Sequence, residues 1–226
     1  MSHRSLIAGL ILAASAACAQ DSDGIWAETL LDDEAFFRLA TCGAPPGRAC
    51  TSDAPRWGKS VLTLAFRSGV TDLPAGFQIR IDRAITAALA EINGAGAGIT
   101  IRRRDAGPAD ITISPTDLPE GTDMAKVPGS EASGILGVGF ATLWWDETKT
   151  ITRAEILIST AISQADLPSV MLEEITQSLG FLHDIDGPAY EGVSILSQTS
   201  NATTTIDGQD ARSEEHTSEL QSHHPI

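Results

Sequence analysis

Between Asp166 and Asp184 the chain reads DLPSVMLEEITQSLGFLHD, and this stretch constrains the fold more than any other. Leu172, Ile175, Leu179 and Leu182 recur at helical spacing, so a helix here carries one continuous apolar face that must be buried. Asp166 stands where an N-cap is expected, and Pro168 falls in the first turn, where a missing N–H does no harm. Glu173 and Gln177 are four residues apart and stack on an adjacent face, with Gly180 about one turn further on. Such a helix brings acidic and amide groups to the margin of a core. Chemistry is to be sought there first.

The chain has 226 residues, enough for one domain with a sizeable core. Residues 1–19 read as a secretory signal: Arg4 opens it, an apolar run follows from Leu6, and Ala17-Cys18-Ala19 forms the cleavage site. That run is too short to span a bilayer, and no later stretch reaches the length needed, so no transmembrane segment is expected in the mature chain. The expected location is the periplasm or the exterior. A lipoprotein anchored through Cys18 is the alternative.

At the other end, RSEEHTSELQS resembles the translation of a common sequencing adapter. Residues 212–226 are therefore set aside as a non-native tail, with the natural C-terminus expected to be truncated. Between the two ends, residues 20–211 hold 13 Lys and Arg against 27 Asp and Glu, a net charge of −14. A domain this acidic repels nucleic acid and anionic membranes. Of five histidines in the chain, only His183 lies within that span.

Residues 20–55 contain a short amphipathic helix pattern, then Cys42 and Cys50 around the turn-forming GAPPGRA. In an exported chain two such cysteines read as a disulfide, clasping this segment to the domain that follows. From residue 56 to 211, strand patterns at 61–66, 99–104, 109–114, 134–143, 151–160 and 193–198 alternate with helical periods at 77–92 and from Asp166. This order predicts an α/β fold with a twisted, mixed, mostly parallel sheet, an antiparallel edge strand and two main helices.

In register, the central helix reads Glu173-Glu174-x-x-Gln177-x-x-Gly180-x-x-His183, which resembles the metzincin zinc-peptidase pattern HExxHxxGxxH. Arg56-Trp57, Ala109-Asp110-Ile111 and the glycine-rich 134–140 segment resemble their matrixin counterparts, over roughly residues 56–198. Leu196 stands where that family has its Met-turn methionine. The E-E-x-x-Q-x-L-G core also resembles a family of exported bacterial proteins of unassigned function. The resemblance implies a zincin-like fold, with Glu174 as the general base, Glu173, Gln177 and His183 at the metal-ligand positions, and Gly180 at the sharp turn.

The ligand set is degenerate, because Glu173 and Gln177 replace two imidazoles. One imidazole, a carboxylate and a neutral amide form a poor site for zinc and suit harder cations better. Zinc is thus not expected to be held; the site is expected to take no cofactor, or a weakly bound divalent metal. Three functions follow as expectations. The first is a non-catalytic exported domain that binds an extended peptide along strand 134–143. The second is a metal-dependent peptidase with Glu174 as base, and the third a structural envelope lipoprotein.

Overall fold

The structure, a computed structural model, describes residues 24–67, 72–105 and 107–213, with the backbone alone of Ala16–Ala19. In chain order the elements are β1 (Ala16–Ala19), β2 (Ile25–Trp26), α1 (Asp33–Cys42), β3 (Arg56–Trp57), β4 (Val61–Phe66), α2 (Phe77–Gly94), β5 (Thr100–Arg104), β6 (Ile111–Thr116), β7 (Gly139–Trp145), β8 (Thr150–Ser159), α3 (Leu167–Gln177) and β9 (Ile185–Asp186).

Seven strands form one sheet in the order β1-β7-β8-β6-β4-β5, with β3 pairing the start of β8. Strands β5, β4, β6 and β8 run parallel, and β7 is antiparallel to β8. A parallel pair needs a crossover, and α2 supplies it between β4 and β5. The protein is therefore α/β with a mostly parallel sheet, as its alternating pattern predicts. Strand β7 is the expected antiparallel strand, but β1 lies outside it, with Ala16 opposite Trp145 and Ala19 opposite Thr142.

Helices α2 and α3 bury their apolar faces in a single core. Ile81, Ile85 and Ile92 from α2 and Leu172 and Ile175 from α3 join Leu64, Ile113 and Ile156 of the sheet there. Each such side chain contributes about 1.5–3 kcal/mol by leaving water, before the entropy of ordering it is subtracted. This burial fixes the rotation of α3, and hence which side chains its flank offers. Among the described residues no helix is long and apolar enough to cross a membrane.

Two strand expectations change. The 134–143 strand begins only at Gly139 and runs on to Trp145. Ahead of it, Ile135 bridges Asp123, and Leu136 exchanges backbone hydrogen bonds with Gly121 and Thr122. The glycine-rich half is thus captured by a neighbouring loop instead of the sheet. Residues 193–198 form turns apart from a single bridge of Ser197 to Ile185, because Asp210 takes the Ile195 N–H (2.9 Å) that a strand would have used and is held there by Ser194 Oγ (2.7 Å). Leu196 is buried, and its carbonyl accepts from the Ile185 N–H at 2.8 Å.

The ends of the chain fall partly outside the described residues. The expected signal is described only as β1, so the expectation for the Cys18 side chain lies outside them. A helical turn over 208–213 packs against the start of α1, where Gln209 donates to the Leu31 carbonyl at 2.6 Å and Arg212 pairs with Asp33. The packed chain therefore continues through Ser213, beyond the boundary expected at 211. Residues 214–226 lie outside the described residues.

The Cys42–Cys50 disulfide is present, with the two Cα atoms 5.2 Å apart. The Thr51 and Ser52 N–H groups both donate to the Cys42 carbonyl at the C-terminus of α1, so the bridge closes a loop that is already hydrogen-bonded. Replacing both cysteines with serine is expected to cost about 2–3 kcal/mol, the entropy of closing so short a loop. Chemical denaturation of the oxidised and reduced protein measures it; identical midpoints would show that the loop holds itself.

Candidate functional site

Helix α3 starts at the expected N-cap residue, Asp166, but without a capping hydrogen bond from its side chain. Asp166 has helical backbone angles, and its carboxylate accepts from Ser163 Oγ at 2.7 Å instead of the helix N–H groups. The apolar face is as predicted: Leu172, Ile175, Leu179 and Leu182 are all buried. With that face fixed in the core, Glu173 and Glu174 come to the wall of a cleft of about 260 Å³. Asp184 completes the acidic wall, and the 137–140 segment at the start of β7 forms the opposite one.

Gly139 makes this close approach possible. A Cβ there would lie 2.4 Å from Glu174 Oε1 and 2.6 Å from Val170 Cγ1, inside any real contact distance. Glycine lets α3 lie directly against β7 and seals Glu174 at 4% exposure. Glu173 is half-buried on the cleft side.

Electrostatically the cleft is strained. Burial pushes the Glu173 carboxyl well above its usual range, and the charges of Asp184 and Glu174 push it further. Burial and Asp184 do the same to Glu174, against a backbone hydrogen bond from Ala141. Gln177 Nε2 donates to Asp184 Oδ1 at 2.7 Å, holding that carboxylate in place. Three acceptors in and beside the cleft are left buried without a donor: Glu174 Oε2, Gln177 Oε1 and Gln198 Oε1. Such a group costs roughly 1–3 kcal/mol when nothing binds it.

Gly180 makes the expected sharp turn, with φ +117°. A Cβ there would lie 2.5 Å from the Pro55 carbonyl oxygen. Beside it, Trp57 Nε1 donates to the Ser178 carbonyl at 3.0 Å, tying β3 to the end of α3. After the turn the His183 N–H donates to Ala40 of α1, and its Nε2 lies 3.0 Å from Ser52 Oγ. His183 is therefore held at the disulfide loop and is not among the residues lining the cleft.

The residue that reaches the cleft is the next one, Asp184. Successive side chains of an extended segment point to opposite sides, so turning His183 toward Ser52 turns Asp184 toward Glu174. In the sequence this acid marked only the end of the helical stretch and was given no place in the site. Its alternation with His183 beyond the glycine was the signal available.

The positions at which the metzincin pattern carries zinc ligands thus split into two groups. Glu173 and Gln177 lie with Glu174 and Asp184, whereas His183 lies with Ser52. Gln177 commits its amide to Asp184, and Glu174 presents a carboxylate packed against β7. Among the described residues no group of three or more His, Cys, Asp or Glu side chains is placed to hold a metal. The donor set does not fit zinc, which needs three converging ligands and an open position for water.

What the arrangement offers instead is an acceptor-rich cleft at the start of a strand edge. No protein-family model matches the chain, and no curated protein matches it.

Proposed function

We propose that this protein is an exported, non-catalytic domain that binds an extended peptide along the outer edge of β7. One observation carries this reading: Ala16–Ala19 already lies on that edge as an antiparallel strand, in register from Thr142 to Trp145. An edge that accepts four residues of its own chain offers the same row of backbone donors and acceptors to a partner. The paired residues belong to the segment read as the secretory signal. Cleavage after Ala19 removes them and leaves the outer edge of β7 to be filled.

The reading as a catalyst is the weaker one on the same geometry. Glu174, at the general-base position, has an oxygen packed against Gly139, and among the described residues no converging ligand set stands next to it to activate water.

The test compares the chain beginning at Gln20 with the full chain, using fluorescently labelled extended peptides. The shorter chain is expected to bind and the full chain to bind at least about tenfold more weakly, the factor that corresponds to 1.4 kcal/mol. N-methylation of peptide amides that face β7 is expected to weaken binding by a similar factor, since each removes one backbone hydrogen bond. Equal binding by both chains, or indifference to N-methylation, would refute strand addition.

A further inference from the structure

We infer that the cleft beside β7 receives a guanidinium group, so that the preferred peptide carries an arginine at the position facing Glu174. This rests on the reading of β7 as a peptide-binding edge, which it extends by naming the side chain recognised. The wall of the cleft is made of acceptors: the carboxyl groups of Glu120, Glu173, Glu174 and Asp184, and the amides of Gln198 and Asn201. No Lys, Arg or His is among the described residues that line it.

Acidic residues alone would say little, since they also serve to solvate a surface. Two independent features point to a ligand. Glu174 Oε2 is buried, belongs to a side chain at 4% exposure, and has no hydrogen-bond donor. Gln198, another residue of the lining, has a buried Oε1 equally without a donor, beside Gly24. Protein groups do not stay buried and unpaired without cost, and here every missing partner is a donor. A ligand that brings N–H donors would satisfy these acceptors, and one that also carries a positive charge would pair with the carboxyl groups of the wall.

Geometry selects among cations. A divalent metal needs oxygens converging on one point, at about 2.3–2.6 Å for calcium and about 2.0–2.1 Å for magnesium. These acceptors are distributed around the wall, and no described group is placed to hold a metal. An ammonium has three donors around a point and is strongly hydrated. A guanidinium carries five donors in a plane, spreads its charge and gives up water more readily. Dispersed acceptors around a cleft of about 260 Å³ match the second.

The probe is arginine amide titrated into the full chain by calorimetry, beside citrulline amide, lysine amide and calcium chloride. Arginine amide is expected to bind about ten- to a hundredfold more tightly than its uncharged isostere citrulline amide, the worth of a charge-assisted hydrogen bond. Glu174→Gln is expected to lose a similar factor while unfolding no earlier than the parent. Glu173→Gln, on the half-buried wall, gives a second reading should the first variant fold poorly.

Equal binding of arginine and citrulline amides, no binding of either, or undiminished binding by both variants would overturn the inference. Calcium binding that excludes arginine amide would overturn it in favour of a metal site. An extended peptide with norleucine in place of arginine separates the two claims. If it binds β7 while arginine amide does not bind the cleft, the strand-edge reading stands and this inference falls. If arginine amide binds while no peptide does, the cleft is right and the strand edge is wrong.

Discussion

Gly180→Ala is expected to lower stability by about 3 kcal/mol or more, a large share of what a domain of this size has to lose. The backbone there has φ +117°, outside what an L side chain adopts without strain, and that alone costs roughly 1–3 kcal/mol. The added methyl would also meet the Pro55 carbonyl oxygen at 2.5 Å, so strand β3 would have to move away from the end of α3. Overpacking of this kind adds roughly 1–3 kcal/mol. Moving β3 also disturbs the hydrogen bond from Trp57 to Ser178. In calorimetry the Tm should fall by about 6–12 °C, at about 2–4 °C per kcal/mol for a chain of this length. A shift of a degree or two would mean that the turn relaxes freely, and that neither His183 nor Asp184 owes its placement to it.

The second large effect is electrostatic. Glu173 and Glu174 have folded-state pKa values well above the usual 4.5, chiefly through burial. Asp210 is pushed from 3.8 to about 6, again by burial, against the hydrogen bonds from Ser194 and Ile195. A carboxyl whose pKa is raised holds its proton more tightly folded than unfolded. Its stabilising effect is complete below the unfolded pKa and disappears as pH rises through the folded one. Stability should therefore decline from roughly pH 4 upward, through about pH 6 for Asp210 and further for the glutamate pair.

Glu174→Gln keeps the shape and removes the charge, so Tm at pH 8 should rise and the decline with pH should flatten. Thermal melts of parent and variant at several pH values measure both. A variant that melts lower than the parent at pH 8 would show that the carboxylate is paired in solution. A stabilising change that weakens arginine binding by about ten- to a hundredfold would mark Glu174 as a residue whose burial serves a ligand, at the expense of the fold.

Much of the architecture was legible because it depends on local periodicity. The apolar spacing in 77–92 and at Leu172, Ile175, Leu179 and Leu182 identified both main helices and their buried faces, since a helix can bury only a contiguous stripe. The Cys42–Cys50 pairing followed from two cysteines bracketing a turn. Gly180 was legible as a turn because its place just past the helix favours the residue that tolerates positive φ. Asp166 holds the N-cap position as expected but makes no capping hydrogen bond, since Ser163 competes for its carboxylate, and a residue three positions upstream does not announce that contact.

What the sequence alone determined, then, is which residues are buried along α2 and α3, and hence that Glu173, Glu174 and Gln177 flank a core. Only the tertiary structure decided which groups meet them. His183 and Asp184 are neighbours in sequence, and either could have faced the helix. Packing against α1 and the disulfide loop gives His183 to Ser52 and leaves Asp184 to the cleft. Likewise no local pattern places β1 on β7, or captures 193–198 with Asp210. Those contacts join residues far apart in sequence, and their energies exist only once the core has brought the segments together. Periodicity reports which face of an element is buried; it carries no record of the partner that covers it.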